Sequence, residues 1–350
     1  MNRIALWLGL IGIAALWAVP ARAADDRWHS RPARPGGDVV LRIVMLEDEA
    51  EDPAAAGKKA AEMLKEAMGD APLKAVLISE VFEDLEYKKK LLDGIGEVID
   101  KNILLGGATY GSYTQDGCTD FDAVALLGIG GDGIGAAAAL VTEQGTAKLD
   151  RTKDLDTMRG LLHAAGERVT RAVPKTRRDQ LLIFMANAHA PSNRYLVEGA
   201  QKVVGPEFPI TGGSVNVNAG QTFTYFRGKP YEDASVAIML SGDFHVSLSG
   251  GQGMETETVI ATARDAAAEA LEDVEGTPLV VLAFNCAGRR SQLDDYDVEL
   301  AATQDAIGKE LPLFGLYCAG EIGPVDESER QPGVLSGGTG WHVMYTIISR

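Results

Sequence analysis

Only three cysteines, Cys118, Cys286 and Cys318, occur in 350 residues. So sparse and odd a set is no disulfide scaffold, and the fold has to rest on a buried core. Length allows one, because a globular chain of some 300 residues buries about three quarters of the surface its unfolded form exposes. Basic charge is short as well: 33 Lys and Arg stand against 50 Asp and Glu, a formal net charge of -17. That balance repels phosphate backbones and anionic lipid surfaces, so nucleic acid is not an expected partner. After residue 40 every apolar run is broken by Gly or charge within about ten positions, far short of a membrane span.

Several signatures fail on context. Leu248-Ser249-Gly250-Gly251-Gln252 spells a transport-ATPase motif, but no G-x-x-x-x-G-K-[ST] phosphate loop accompanies it. Gly128-x-Gly130-x-x-Gly133 follows a strand, yet no β-α-β partner with an acidic residue closes the unit. Asp116, Asp120 and Asp122 lack the spacing of an EF-hand loop. His163, His189, His245 and His342 are scattered without the spacing of a zinc helix. No metal and no cofactor are expected.

What is present starts at the first residues. Arg3, an apolar run from Ile4 to Val19, Pro20 and then Ala21-Arg22-Ala23 follow the order of a secretory signal peptide, residues 1–23. The run is shorter than the roughly 20 residues a bilayer helix needs. Cleavage after Ala23 is expected to release a periplasmic or secreted protein, with no membrane insertion and a formal charge taken from -17 to -19 by the loss of Arg3 and Arg22. Residues 24–37, polar and rich in Arg, Pro and Gly, read as a flexible leader, so the fold is expected to start near Asp38.

From there one plan recurs three times. Helical patterns at Gly57 to Met68, Asp156 to Val173 and Glu255 to Val274 each precede a nearly continuous apolar strand, Lys74 to Glu80, Gln180 to Ala186 and Pro278 to Phe284. A second helix, a short strand ending in glycine and an alternating strand follow, the last reading DAVALLGI, SVAIMLSG and WHVMYTII. From Leu77 to Gly106 is 29 positions, from Ile183 to Gly212 is 29, and from Leu282 to Gly315 is 33. The predicted fold is α/β, with three related α-β-α-β-β units forming mixed sheets covered by helices. Alternation in the closing strands predicts one covered and one more exposed face.

Candidate binding residues cluster where these strands end. The turns carrying Gly106, Gly107, Thr109 and Tyr110, with Tyr113 beyond, and Gly213, Ser214, Asn216 and Asn218 offer backbone N-H groups, hydroxyls and amides to a small ligand. Equally, such glycines serve tight turns and close strand packing. In the third unit Asn285, Cys286, Arg289 and Arg290 form a polar cluster in which a guanidinium could clamp a carboxylate, unless it pairs with Asp294, Asp295 or Asp297. Cys318, Gly320 and Glu321 follow the next strand, and Glu321 opposite Arg289 would hold the two ends of an amino acid, or else the two form a structural pair. For Cys286 and Cys318 a disulfide, two buried thiols and a reactive thiol all stay open.

The segments LLGGATYGSYTQDG, ITGGSVN, FNCAGRR and LFGLYCAGEIGP, with the closing strand WHVMYTII, make residues 38 to 350 resemble the FIST family. The resemblance implies a FIST N-like domain over 38–253, holding two units, and a FIST C-like domain over 254–350, holding the third. It also implies a sensory module that binds a small molecule such as an amino acid and carries no established catalysis. A kinase, cyclase or receptor region is not found in the sequence, so the expected signalling partner is a separate protein. Two rivals stand beside this reading. One is a thiol-dependent hydrolase or transferase using Cys286, with His189 or His342 as base. The other is a non-catalytic interaction protein.

Overall fold

The computed structural model describes residues 26–47, 52–150, 152–217, 222–326 and 331–350. The signal peptide, its cleavage site at Ala23 and Asn218 lie outside the described residues. After an edge strand β1 (Asp26–His29), the first unit runs β2 (Val40–Leu46), α1 (Pro53–Met68), β3 (Leu73–Glu80), α2 (Leu85–Val98), β4 (Leu104–Ala108), β5 (Ser112–Thr114), β6 (Gly117–Cys118) and β7 (Val124–Gly130). The second runs β8 (Ile134–Val141), α3 (Leu155–Ala172), β9 (Asp179–Ala186), α4 (Asn193–Val204), β10 (Ile210–Ser214), β11 (Thr224–Phe226), β12 (Lys229–Tyr231) and β13 (Ser235–Gly242). The third runs β14 (His245–Gln252), α5 (Thr256–Glu272), β15 (Pro278–Cys286), α6 (Ala287–Arg290), α7 (Asp297–Ile307), β16 (Leu313–Cys318), β17 (Glu321–Gly323), β18 (Gly337–Thr339) and β19 (His342–Ser349).

Local chemistry explains the helix starts and the way the helices pair. Asp52 accepts from Ala55 N ahead of Pro53, and Asp84 accepts from Tyr87 N, so two first turns are capped by a carboxylate. Gly57 and Gly94 let α1 and α2 touch: a Cβ on Gly57 would fall 2.2 Å from the Leu91 carbonyl oxygen, and one on Gly94 2.0 Å from that of Ala54. Gly166 and Gly199 do the same for α3 and α4. The equivalent placement of these two glycine pairs is a structural trace of the repeat.

The predicted helix-strand-helix-strand-strand plan is present in each unit, extended by an opening strand and by a hairpin. The sheets are mixed: the first has the order β12-β11-β4-β3-β7-β2, the second β1-β8-β13-β9-β10-β17-β18, and the third β14-β19-β15-β16-β5-β6. Within each, the strand before the second helix pairs parallel with the strand after it, β3 with β4, β9 with β10 and β15 with β16. The hairpins are exchanged in a ring. β5 from the first unit joins β16 of the third, β11 from the second joins β4 of the first, and β17 from the third joins β10 of the second.

Two expectations are corrected. Residues 26–29 are not leader, because β1 pairs antiparallel with β8 and Trp28 packs on the core. The closing strands β7, β13 and β19 have no exposed face, every residue of each being buried. One face of each sheet meets its own helices, and the other meets a central core to which all three units contribute. Along β9, Leu181, Ile183 and Met185 enter that central core while Leu182, Phe184 and Ala186 face α3 and α4. Period-two alternation here separates two dry layers.

Because each sheet is completed by a hairpin from another unit, the three units are expected to unfold together. Calorimetry should give one transition with equal calorimetric and van't Hoff enthalpies. A separate earlier transition for residues 245–350 would contradict the interlock.

Candidate functional site

Where the three units meet at the C-terminal ends of β9, β15 and β16, the chain forms an open cavity of about 560 Å³. The first unit supplies Tyr110, the second His189, Ala190 and Pro191, and the third Cys286, Ala287, Gly288, Cys318, Ala319, Gly340 and Trp341. Trp341 holds its ring there with φ +64°, a left-handed backbone that a bulky residue seldom adopts. Gly288 makes room for the indole, since a Cβ on it would sit 3.2 Å from two ring carbons.

Cys286 and Cys318 are register partners at the ends of the parallel pair β15 and β16, so their side chains share the inner face of the sheet. Both are free thiols. Cys286 Sγ accepts from Gly288 N at 3.3 Å and from the backbone N-H groups of Arg289 and Trp341. Cys318 Sγ contacts the carbonyls of Asn285 at 3.4 Å and Gly320 at 3.3 Å, and lies 3.6 Å from Glu321 Oε1. Room for this thiol comes from Gly213, where a Cβ would fall 2.9 Å from the sulfur. Burial, and then the Glu321 charge, push Cys286 up to about 12 and Cys318 well above the usual thiol range.

Glu321 is fully buried on β17, which a hairpin crossing has carried into the second unit's sheet. His342 N donates to Oε2 at 3.0 Å, and both thiols hydrogen-bond the carboxyl group. Burial outweighs these donors and the more distant Arg289 charge, raising the group from its ordinary 4.5 to about 8. At neutral pH it is therefore mostly a neutral acid.

The two-ended grip expected between Arg289 and Glu321 is not assembled. Arg289 is fully buried and turned into the protein: Nη2 lies 2.7 Å from Glu299 Oε1 and 2.7 Å from the Val259 carbonyl, Nη1 donates to Thr262 at 2.9 Å, and Nε to Asn285 Oδ1 at 3.1 Å. A guanidinium so fully occupied has no fork left for a ligand. Arg290 is spent as well, donating to the Tyr110 carbonyl, pairing with Asp120 and lying over the rings of Tyr296 at 4.1 Å and Tyr317 at 5.1 Å.

Of the residues singled out from sequence, Tyr110, Cys286 and Cys318 line the cavity, with Glu321 and Gly213 directly behind the thiols. The others serve the fold. Gly106 packs strand on strand, its Cβ position lying 2.2 Å from the Ile78 carbonyl, and Gly107 faces Val215 in the same way. Thr109 bonds Ser79, Ser214 bonds the Ala188 carbonyl, and Asn216 bonds the Thr109 carbonyl at 3.0 Å. Tyr113 lies under α7, its hydroxyl bonded to Thr303. Asn285 orients Arg289, and a Cβ on Gly320 would strike Ala190 N at 2.7 Å. Sequence reasoning missed Ala190, Pro191, Gly340 and Trp341 as wall residues and raised His189 only as a base. His342, the other proposed base, is bound to the Gly340 carbonyl through Nδ1 and approached by Asp326 N at Nε2. Among the described residues no group of three His, Cys, Asp or Glu could hold a metal ion, and no helix is long and apolar enough to cross a membrane.

A FIST N domain model matches residues 74–266 and a FIST C domain model residues 250–324. No curated protein matches the sequence. Among solved structures, a cyanuric acid hydrolase from A. caulinodans aligns at TM-score 0.43 and 10% identity, over 89% of this chain and 100% of that one. PurLQS from Thermotoga maritima aligns at TM-score 0.29 and 8% identity, over 94% of this chain and 74% of the other. No residue role is carried over at such distances.

The raised carboxyl of Glu321 makes stability depend on pH. The folded state keeps the proton where the unfolded state loses it, so this contribution is complete below pH 4.5 and is lost as pH rises through about 8. Glu321→Gln is expected to flatten the fall in unfolding free energy over that window, by at most about 1.4 kcal/mol per pH unit. Denaturant titrations of parent and variant across pH 4.5 to 8 measure it. Parallel curves would show that the carboxyl is ionised throughout.

Proposed function

Because the chain belongs to the FIST family of signal-transduction sensory domains, we propose that it senses a small molecule in the cavity at the meeting of its three units and passes the bound state to a separate signalling protein. One observation carries this reading: a cavity of about 560 Å³ walled by all three units, which lies within the size range of small-molecule sites. A ligand there touches each unit at once, so its binding energy bears on how the units sit against one another.

The lining argues for an uncharged ligand with a flat apolar face and few polar atoms, in place of the amino acid expected from sequence. Trp341 and Tyr110 offer ring surface, the Glu321 carboxyl beyond the thiols is held near neutral, and both arginines are committed elsewhere. The lining side chains include no Lys, Arg, Asp or Glu, so none of these offers an opposite charge to a carboxylate or ammonium. We also propose that no hydrolase or transferase turnover depends on Cys286, since a thiol pushed up to about 12 leaves only a trace of thiolate at neutral pH, enough for slow exchange and too little for rapid catalysis. The site of action proposed is the periplasm or medium, with a mature N-terminus at Ala24. Intact mass of exported protein checks this, and Met1 retained in a membrane fraction would contradict it.

A thermal-shift panel of uncharged heterocycles and free amino acids tests the ligand reading. A compound at one hundred times its Kd stabilises by about 2.7 kcal/mol, a rise of several degrees for a chain of this size. Hits are expected among the heterocycles. They should be lost in Trp341→Gly, which removes the indole while suiting the positive φ, and in Ala190→Leu, which fills the cavity. Hits confined to amino acids, or undiminished in both variants, would place the ligand elsewhere.

A further inference from the structure

We propose that Cys286 and Cys318 are a redox-active dithiol, closed to a disulfide by exchange with a small disulfide that enters the cavity, with Cys286 attacking and Cys318 resolving. This goes beyond the ligand reading and stands without it.

Three features of the geometry carry the proposal. First, the two residues are paired in register on neighbouring strands. Strands lie about 4.8 Å apart and paired positions share a face, which falls inside the Cα separations that disulfides span. Second, both thiols converge on one carboxyl group, that of Glu321, which places the sulfurs side by side. Third, the pair sits at the wall of a cavity large enough to admit a reagent.

The order of attack follows from access. Both thiols line the cavity, but Cys286 retains 9% of its surface and Cys318 none. Three backbone N-H groups, from Gly288, Arg289 and Trp341, point at Cys286 Sγ and would stabilise the thiolate as it forms. Cys318 has one such backbone donor, from Gly320, and lies beside the carbonyls of Asn285 and Gly320, which favour its protonated thiol. The attacking and resolving roles are thus separated by exposure and by three backbone donors against one.

The chemistry balances as two exchanges. Cys286 gives its proton to the ionised fraction of Glu321, and its sulfur attacks one sulfur of a disulfide RS-SR, forming Cys286-S-S-R and releasing RS⁻. Cys318 then attacks Cys286 Sγ, the Cys286-Cys318 bond forms, and the second RS⁻ leaves. Protons from the two thiols end on the two released thiolates, so RS-SR is reduced to two RSH and the protein is oxidised by two electrons. The high-lying thiols predict that this proceeds slowly at neutral pH. Cys118, bonded to Tyr317 on the outer side of the third sheet and outside the cavity lining, has no part in it.

Bis(2-hydroxyethyl) disulfide, small and uncharged, is the probe. The folded full chain is incubated with it, quenched in acid, unfolded, alkylated and weighed, and its peptides are mapped. The parent is expected to lose two of its three alkylatable thiols and the mass of two hydrogens, to yield a peptide joining Cys286 to Cys318, and to recover both thiols with a dithiol reductant. Cys118→Ser should behave as the parent. Cys318→Ser should stop at one mercaptoethanol adduct on Cys286, and Cys286→Ser should leave Cys318 unreacted. Three thiols still alkylatable in the parent would overturn the proposal without recourse to any variant. A bond to Cys118, or equal adducts in Cys286→Ser and Cys318→Ser, would overturn it as well.

Discussion

The hairpin that each unit lends to another is the constraint on which the remaining structure depends. Tyr113 of the first unit pairs with Gly315 of the third, Tyr225 of the second with Gly106 of the first, and Glu321 of the third with Gly213 of the second. Each exchange brings a polar or aromatic side chain into a neighbour's interior, and a glycine on the receiving strand leaves the space. The ring also turns the inner faces of the three sheets toward one another and closes the central core. Strand ends from different units are thereby gathered at one rim, which is where the cavity lies.

Buried charge follows the same logic. Glu80, at the end of β3, takes Lys88 Nζ at 2.9 Å, Phe82 N at 2.8 Å and the hydroxyl of Tyr225, the residue delivered by the second unit's hairpin. At the end of β15, Arg289 and Glu299 form the corresponding fully buried pair of the third unit. Removing one member of such a pair strands its partner's charge in a dry interior, which costs far more than the intact pair contributes. These groups hold the strand-end turns in place. The cavity wall is correspondingly left to a thiol pair, an imidazole, a phenol and an indole.

Much of the architecture was legible in the chain. The long amphipathic helices, the apolar strands before and after them and the repeated spacing each rest on local pattern, and the FIST resemblance followed from short glycine- and cysteine-containing segments. The hairpins were not legible as strands, because β5, β11 and β17 are three residues long and owe their state to a partner in another unit. Burial of both faces escaped for a related reason: period two looks the same whether the second face meets water or another sheet. Arg289 was misread because Asp294, Asp295 and Asp297 are nearer in sequence, whereas Glu299 reaches it from the interior side of α7. Cys286, Cys318 and Tyr110, which line the cavity, were singled out by their place at strand ends. Trp341 was not, its role resting on a positive φ and on the missing side chain of Gly288.

The central claim is that the meeting point of the three units is the sensing site. A crystal structure of the protein with a stabilising uncharged ligand tests it most directly. The account predicts electron density between the Trp341 ring and Tyr110, against Ala190 and the Cys286-Cys318 wall, with Arg289 still on Glu299. Density in the separate cavity of about 340 Å³ beside Asp233 and Met158, with this one empty, would contradict it.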